Sequence, residues 1–108
     1  MSIEDLNMID AIGISDINEK IIIKIFDHLD FSDEEAHLLL LQEKINRYFS
    51  FIESREITET FDDAFEREIV ISIDFKYTPT RFTIEFLREA GKIAEEAGYS
   101  MEFSIWNE

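Results

Sequence analysis

The residues best suited to chemistry lie in one short segment, residues 27–37, which reads DHLDFSDEEAH. Carboxylate oxygens and imidazole nitrogens bind divalent metal ions, and they also move protons near neutral pH. One hypothesis is therefore that a divalent ion is shared by four side chains of this segment: Asp27, Asp30, Asp33 and His37.

The spacing of these residues argues against a metal site. An EF-hand loop needs a central glycine and ligands at fixed positions, and the segment has neither. In addition, His28 and His37 are predicted to lie on different secondary-structure elements. The pattern is more typical of a solvated turn between a strand and a helix, so we expect neither a metal nor a cofactor.

A second possible acid–base pair is Asp62 and Asp63. A carboxyl group that acts as a general acid needs an apolar pocket that raises its pKa, and a polar acidic loop does not supply one. The chain also has no cysteine, no G-x-S-x-G nucleophile motif and no phosphate-binding loop. The sequence therefore predicts a protein that is not an enzyme. A hydrolase that depends on His28 or His37 is the least favoured alternative.

The elements that must position these residues follow from hydrophobic periodicity. Ser32 and Glu35 have the spacing of a capping box, which predicts the start of a helix that runs to about Glu53. Gly98 is the predicted C-terminal cap of a second helix. The predicted order is two strands at 8–15 and 20–28, the first helix, a short possible strand at 56–61, a strand at 68–77, the second helix at 80–97 and a strand at 99–106.

The predicted fold class is α+β, because the strands alternate apolar and polar residues and so bury only one face. We expect a two-layer sandwich with an antiparallel or mixed sheet, both helices on one face, and the order β-β-α-(β)-β-α-β. Residues 1–108 are expected to form a single domain. The other sheet face should present Ser72, Asp74, Lys76, Ser100, Glu102, Ser104 and Trp106. Gly91, inside the second helix, suggests a close approach to the sheet.

Charge is the strongest functional signal in the chain. There are 25 acidic and 10 basic residues, a formal net charge of -15, and residues 53–68 hold seven carboxylates against Arg55 and Arg67. Such a charge repels nucleic acid and anionic lipid, and it favours a basic protein partner. No apolar run approaches the roughly 20 residues that span a bilayer. No secretory signal is visible, so a cytoplasmic location is expected.

The residues predicted to contact a basic partner are the acidic side chains outside obvious structural roles, together with one aromatic residue. Aromatic residues often dominate binding energy, which makes a tryptophan a candidate anchor. The predicted set is Asp27, Asp30, Asp33, Glu56, Glu59, Asp62, Asp63, Glu66 and Trp106.

Three stretches resemble a family of small bacterial proteins grouped as DUF6572. They are LNMIDAIGI at residues 6–14, HLDFSDEEAHLLLLQEKINRYFSFIES at residues 28–54, and FKYTPT at residues 75–80. Phe31 stands where the family usually has tryptophan. The resemblance covers most of the chain and implies no activity and no catalytic residues.

By size, charge and architecture, small acidic domains of this kind also resemble immunity proteins of bacterial toxin systems, including contact-dependent growth inhibition. The leading hypothesis is therefore an immunity protein that binds and neutralises a basic toxin domain, such as a nuclease. The alternative is a housekeeping adaptor or small-ligand-binding domain, monomeric or dimeric, with no toxin partner.

Overall fold

The computed structural model describes residues 3–106, in which four strands form one mixed sheet beside two helices. The strand order is β1-β2-β3-β4; β1 is antiparallel to β2, whereas β2, β3 and β4 are parallel. The elements are β1 (Ala11–Ile14), β2 (Ile21–Asp27), α1 (Glu34–Glu53), two short 3₁₀ turns (Glu56–Glu59 and Ala64–Glu66), β3 (Ile69–Phe75), α2 (Arg81–Ala97) and β4 (Ser100–Ile105).

Both helices cover the same face of the sheet, as predicted. The odd-numbered side chains of β2 and β3 join residues of α1 and α2 in one buried cluster. The two crossovers, β2–α1–β3 and β3–α2–β4, proceed in the same direction across the sheet. Because such crossovers are right-handed, they place their helices on the same side. The predicted α+β class and two-layer arrangement are therefore confirmed, and of the two sheet types expected, antiparallel or mixed, the sheet is mixed.

The helix ends show where side chains satisfy free backbone groups. Asp33, not Ser32, is the N-cap of α1, and its carboxylate accepts a hydrogen bond from the amide of Ala36. The predicted capping box is therefore wrong by one residue. Thr80 caps α2, and Gly98 ends it with a φ of 100°, the left-handed conformation in which glycine is favoured.

The predicted strand at 56–61 is a 3₁₀ turn instead. Its apolar residues, Ile57 and Phe61, are four positions apart, which is a helical period and not the alternation of a strand. The amide of Phe61 donates to the carbonyl of Ile57 at 3.0 Å, and Ile57 is fully buried. The turn therefore attaches the acidic part of the chain to the core.

The expectation of a close approach at Gly91 is also wrong. A Cβ built at Gly91 would meet no atom within 4 Å. Gly91 instead lines an open groove of about 620 Å³ between α2 and β4. Within residues 3–106, neither helix is long and apolar enough to cross a membrane.

Residues 3–10 cover the end of β2 that β1 leaves unpaired. The amide of Ile3 donates to the carbonyl of Phe26 at 3.1 Å, and the amide of Phe26 donates to Asp10 Oδ2 at 2.9 Å. The hydroxyl of Tyr48, on α1, accepts from the amide of Asp10 and donates to the carbonyl of Lys24. This segment thus connects the sheet edge to α1 through hydrogen bonds that replace strand pairing.

Lys44 of α1 is the centre of this connection. Its side chain is completely buried, and its ammonium group donates to Asp10 Oδ1 at 2.9 Å, to the carbonyl of Met8 at 2.7 Å and to the carbonyl of Asp5 at 2.5 Å. An ammonium group has three N–H donors, so all three are used. Lys44 was not predicted as a buried residue, although its position three residues after buried Leu41 places it on the apolar face of α1.

Candidate functional site

Asp27 and His37 form a buried pair where β2 connects to α1. Asp27 is the last residue of β2, and His37 lies in the first turn of α1. His37 Nε2 is 2.5 Å from Asp27 Oδ2, and His37 Nδ1 is 3.0 Å from the carbonyl oxygen of Asp30. The imidazole also stacks on the ring of Phe31, with the ring centroids 4.2 Å apart. The pair therefore fixes the start of α1 to the end of the sheet.

The hydrogen bonds of this pair require one shared proton. The carbonyl of Asp30 can only accept, so His37 Nδ1 must carry a hydrogen. A neutral imidazole then has a bare Nε2, and an ionised carboxylate has no hydrogen to offer it. One proton between Nε2 and Oδ2 satisfies both groups. Burial raises the pKa of Asp27, although the contacts with His37 partly oppose this effect.

The arrangement does not support the hypothesis of a divalent ion shared by Asp27, Asp30, Asp33 and His37. Both ring nitrogens of His37 already have partners inside the protein. Asp30 accepts from the hydroxyl and the amide of Ser32, which lower the pKa of Asp30, and the Asp33 carboxylate caps α1. In the part of the chain that the structure describes, no group of three metal-ligating side chains lies together. The segment acts as a turn between a strand and a helix.

The acidic loop, which we define as residues 53–68, contains the two 3₁₀ turns. Ile57 and Ala64 are fully buried and hold it against the core. Three of its seven carboxylates have specific partners: Glu53 accepts from the hydroxyl of Tyr99 at 2.7 Å, Asp63 is 3.0 Å from Arg67, and Glu68 is 3.0 Å from Lys20.

The other four carboxylates of the loop are exposed. Within residues 3–106 they have no ion-pair or side-chain hydrogen-bond partner, because both arginines of the loop are engaged elsewhere. Arg67 holds Asp63, and Arg55 stacks over the ring of Phe65 at 4.5 Å. Phe65 is itself 46% exposed. The loop therefore presents an aromatic ring among uncompensated carboxylates, which are Glu56, Glu59, Asp62 and Glu66.

The structure does not bring all the predicted contact residues together. Asp27 is 1% exposed and faces His37, so its carboxylate is not available to a partner, and we remove it from the predicted contact set. Asp30 and Asp33 are exposed, but they follow the carboxyl end of β2. The acidic loop precedes the amino end of the parallel strand β3 and so lies at the opposite end of the sheet. The acidic residues thus form two separate groups.

Trp106 lies at the same end of the sheet as Asp30 and Asp33. It directly follows β4, its side chain is 55% exposed, and it lines a notch of about 330 Å³ with Phe26 and Asp74 on the face without helices. The surroundings of Trp106 are not strongly acidic. Asp74 is 3.1 Å from the ammonium group of Lys24 and accepts from Ser104 at 3.0 Å.

The predicted open face was incomplete, because it omitted Lys24. The Lys24 ammonium group also donates to Ser72 at 3.2 Å, and Ser72 is only 2% exposed. The alternation of Lys24 with Ile23 and Ile25 was a usable signal, since it places Lys24 opposite the buried face. Trp106 therefore borders a nearly neutral polar network.

Fold and surface together define a small α+β domain with a mixed four-stranded sheet and an acidic loop. The family model of DUF6572, a family of unknown function, matches residues 1–107, and the chain belongs to that family. No curated protein and no solved structure matches the chain. The resemblance predicted from the sequence is thus confirmed at the level of the family, which carries no activity with it.

Proposed function

We propose that this protein is a cytoplasmic immunity protein that binds a basic toxin domain, such as a nuclease, and blocks it stoichiometrically. The observation that supports this proposal is the acidic loop, in which four exposed carboxylates have no cationic partner within the described residues. Uncompensated charge of one sign attracts a partner of the other sign.

The loop is well suited to fast capture. Its seven carboxylates and two arginines give it a formal charge of −5. Complementary charge steers diffusional encounter and can raise association rates to about 10⁹ M⁻¹s⁻¹ at low salt. Burial of Ile57 and Ala64 fixes the loop before binding, which reduces the entropy that association must remove.

Phe65 is the best aromatic anchor for such a partner. It lies inside the acidic loop and is nearly half exposed, whereas Trp106 lies at the other end of the sheet. Its ring is already stacked by Arg55, which shows that a guanidinium group fits there. An arginine of a basic partner can make the same contact on an exposed part of the ring. The proposed contact surface is therefore Glu56, Glu59, Asp62, Phe65 and Glu66.

Reversal of three loop charges tests this proposal. The variant Glu59→Lys/Asp62→Lys/Glu66→Lys should lower the association rate with a cognate basic toxin domain by about tenfold or more at low salt. The salt dependence of the rate should fall as well, because fewer charges steer the encounter. Stopped-flow mixing or surface plasmon resonance at several salt concentrations measures both effects.

A matched control separates local charge from net charge. Glu43→Lys/Glu85→Lys/Glu89→Lys makes the same change in net charge on exposed positions of the two helices. The control should keep most of the wild-type association rate. Equal losses in both variants, or no loss in the loop variant, would contradict binding through the acidic loop.

The second candidate function is that of a small-ligand-binding adaptor, and the notch beside Trp106 favours it. Small ligands often bind beyond the carboxyl ends of parallel strands, which is where this notch lies. Trp106 is the only tryptophan, so its fluorescence reports on the notch directly. Saturable quenching by a small molecule, with unchanged quenching in the charge-reversed loop variant, would favour this function over toxin binding.

A further inference from the structure

One edge of the sheet is left open along β4. The amide of Trp106 bonds to the carbonyl of Phe75, so the even-numbered residues of β4 direct their backbone groups toward β3. Met101, Phe103 and Ile105 must then direct their N–H and C=O groups away from the sheet. Within residues 3–106, no backbone hydrogen bond uses these groups. An edge strand of this kind is a template for pairing with another strand.

Other edges of the same sheet are protected. The exposed end of β2 is capped by Asp10 and the amide of Ile3, and β1 has only four residues. In contrast, β4 has six residues and contains no lysine, proline or glycine, the residues that commonly block edge pairing. Its single charged residue is Glu102, whose side chain lies on the face without helices.

The helix-side surface of β4 is apolar and incompletely covered. Phe103 is 40% exposed and Ile105 is 38% exposed, although both lie on the side of the sheet that α2 packs against. They border the open groove between α2 and β4, where Gly91 leaves space. Burial of these side chains would stabilise an interface, because it removes apolar surface from water.

We propose that β4 pairs antiparallel with β4 of a second copy of this chain, with a two-fold axis at Phe103. In this register Phe103 faces Phe103 of the second copy, and Met101 faces its Ile105. All three outward-facing residues then form hydrogen-bonded pairs, and each pair exchanges two backbone hydrogen bonds. The two four-stranded sheets become one continuous sheet with all four helices on the same face.

The neighbouring registers are less favourable. An axis at Glu102 would place two Glu102 carboxylates directly opposite each other, which is destabilising. An axis at Ser104 would leave Met101 without an opposite residue in the strand. With the axis at Phe103, Glu102 instead faces Ser104, and apolar side chains meet only apolar side chains. The sequence of β4 is therefore complementary to itself in one register.

Charge favours a second copy over the basic partner at this edge. Residues 81–106 hold five acidic and three basic side chains, so this part of the chain is far closer to neutral than the acidic loop. The full charge of -15 on each copy still opposes association at long range. Added salt screens this repulsion, so the dimer should become tighter as salt rises. Binding of a basic partner should show the opposite dependence.

Sedimentation of the full chain tests the proposal. Wild-type protein should sediment as a dimer that dissociates on dilution and tightens in higher salt. Ile105→Lys should weaken the dimer by at least about tenfold, since it places charge in the apolar interface. The matched control is Ile17→Lys, which makes the same change at a 94% exposed position in the loop between β1 and β2 and should leave the dimer intact. Circular dichroism verifies that both variants are folded.

Cross-linking tests the register independently of that variant. The chain has no cysteine, so Phe103→Cys introduces one thiol on the proposed axis. Opposite residues in a hydrogen-bonded pair have Cα atoms about 5.5 Å apart, within the range that a disulfide spans. This variant should oxidise to a covalent dimer much faster than Ile17→Cys or Ser104→Cys. A monomer at all concentrations and salt levels, equal oxidation rates, or a dimer unaffected by Ile105→Lys would overturn the proposal.

Discussion

Lys44→Ala is expected to lower the free energy of unfolding by about 3–5 kcal/mol, the usual effect of removing one partner from a buried ion pair. The Asp10 carboxylate would remain buried without its cation, and the carbonyls of Asp5 and Met8 would lose a donor. Small domains are stable by only about 5–15 kcal/mol, so this variant approaches the limit of folding.

Lys44→Ala should also reduce the order of residues 3–10, because the Lys44 side chain attaches three of these residues to α1. Urea unfolding followed by circular dichroism gives the change in free energy, and hydrogen exchange at the amides of Ile3 and Phe26 reports on the segment itself. The control is Lys92→Ala, which removes an exposed ion pair with Glu89 and should change stability by about 0.5 kcal/mol or less.

A double-mutant cycle determines whether the stability that Lys44 contributes comes from its ion pair with Asp10. Asp10→Asn keeps an oxygen that can accept from the amide of Phe26 but removes the negative charge beside Lys44. If the pair is responsible, Lys44→Met and Asp10→Asn together should destabilise the protein by clearly less than the sum of the two single changes. Strict additivity would show that Lys44 contributes through its bonds to the backbone carbonyls and through packing, and not through the ion pair.

The second large effect concerns pH. We expect Asp27→Asn to remove a loss of stability that the wild-type protein shows as the pH rises. The pKa of Asp27 is raised in the folded state by burial, whereas in the unfolded chain an aspartate loses its proton near pH 3.9. Above pH 3.9 the folded state therefore holds more protons at this residue than the unfolded state does, up to the raised pKa.

The sign of the dependence follows from this difference in bound protons. The contribution of Asp27 is fully present below about pH 3.9 and is lost as the pH rises through the folded-state pKa, by at most about 1.4 kcal/mol per pH unit. The geometry gives the same direction. Loss of the shared proton leaves His37 Nε2 and Asp27 Oδ2 facing each other as two acceptors 2.5 Å apart.

Asparagine at position 27 should keep the hydrogen bonds of Asp27, but its side chain does not titrate. Its amide group can donate to His37 Nε2, while its oxygen accepts from the amide of Leu29 as Asp27 does now at 3.1 Å. Unfolding free energies measured every half pH unit from about pH 4 to 8 should show a difference between wild type and variant that changes with pH in this window. Asp62→Asn, an exposed change of the same charge, is the control for the loss of one carboxylate. A constant difference for Asp27→Asn would contradict the shared-proton arrangement.

Local sequence patterns determined most of the architecture. The alternation along residues 69–75, the apolar spacing along α1 and the glycine after α2 each act within a few neighbouring residues, so they could be interpreted without tertiary contacts. The density of charge in the acidic loop can likewise be recognised from neighbouring residues alone. These signals were sufficient to predict the α+β class and the order of the elements apart from the strand at 56–61, whereas the family was predicted from the resemblance of three stretches.

Only the tertiary structure decided which polar residues are exposed. Asp27 and Asp30 are aspartates of the same acidic segment and cannot be distinguished from the sequence. The fold buries Asp27 against His37 and leaves Asp30 in solvent. The partners of Lys44 are 34 to 39 residues away in the chain, and the parallel pairing of β2 with β3 joins residues 48 positions apart. Periodicity carries no information at such separations. The sequence therefore determined the elements and the total charge, whereas the packing of distant segments determined where that charge is buried, paired or free to bind.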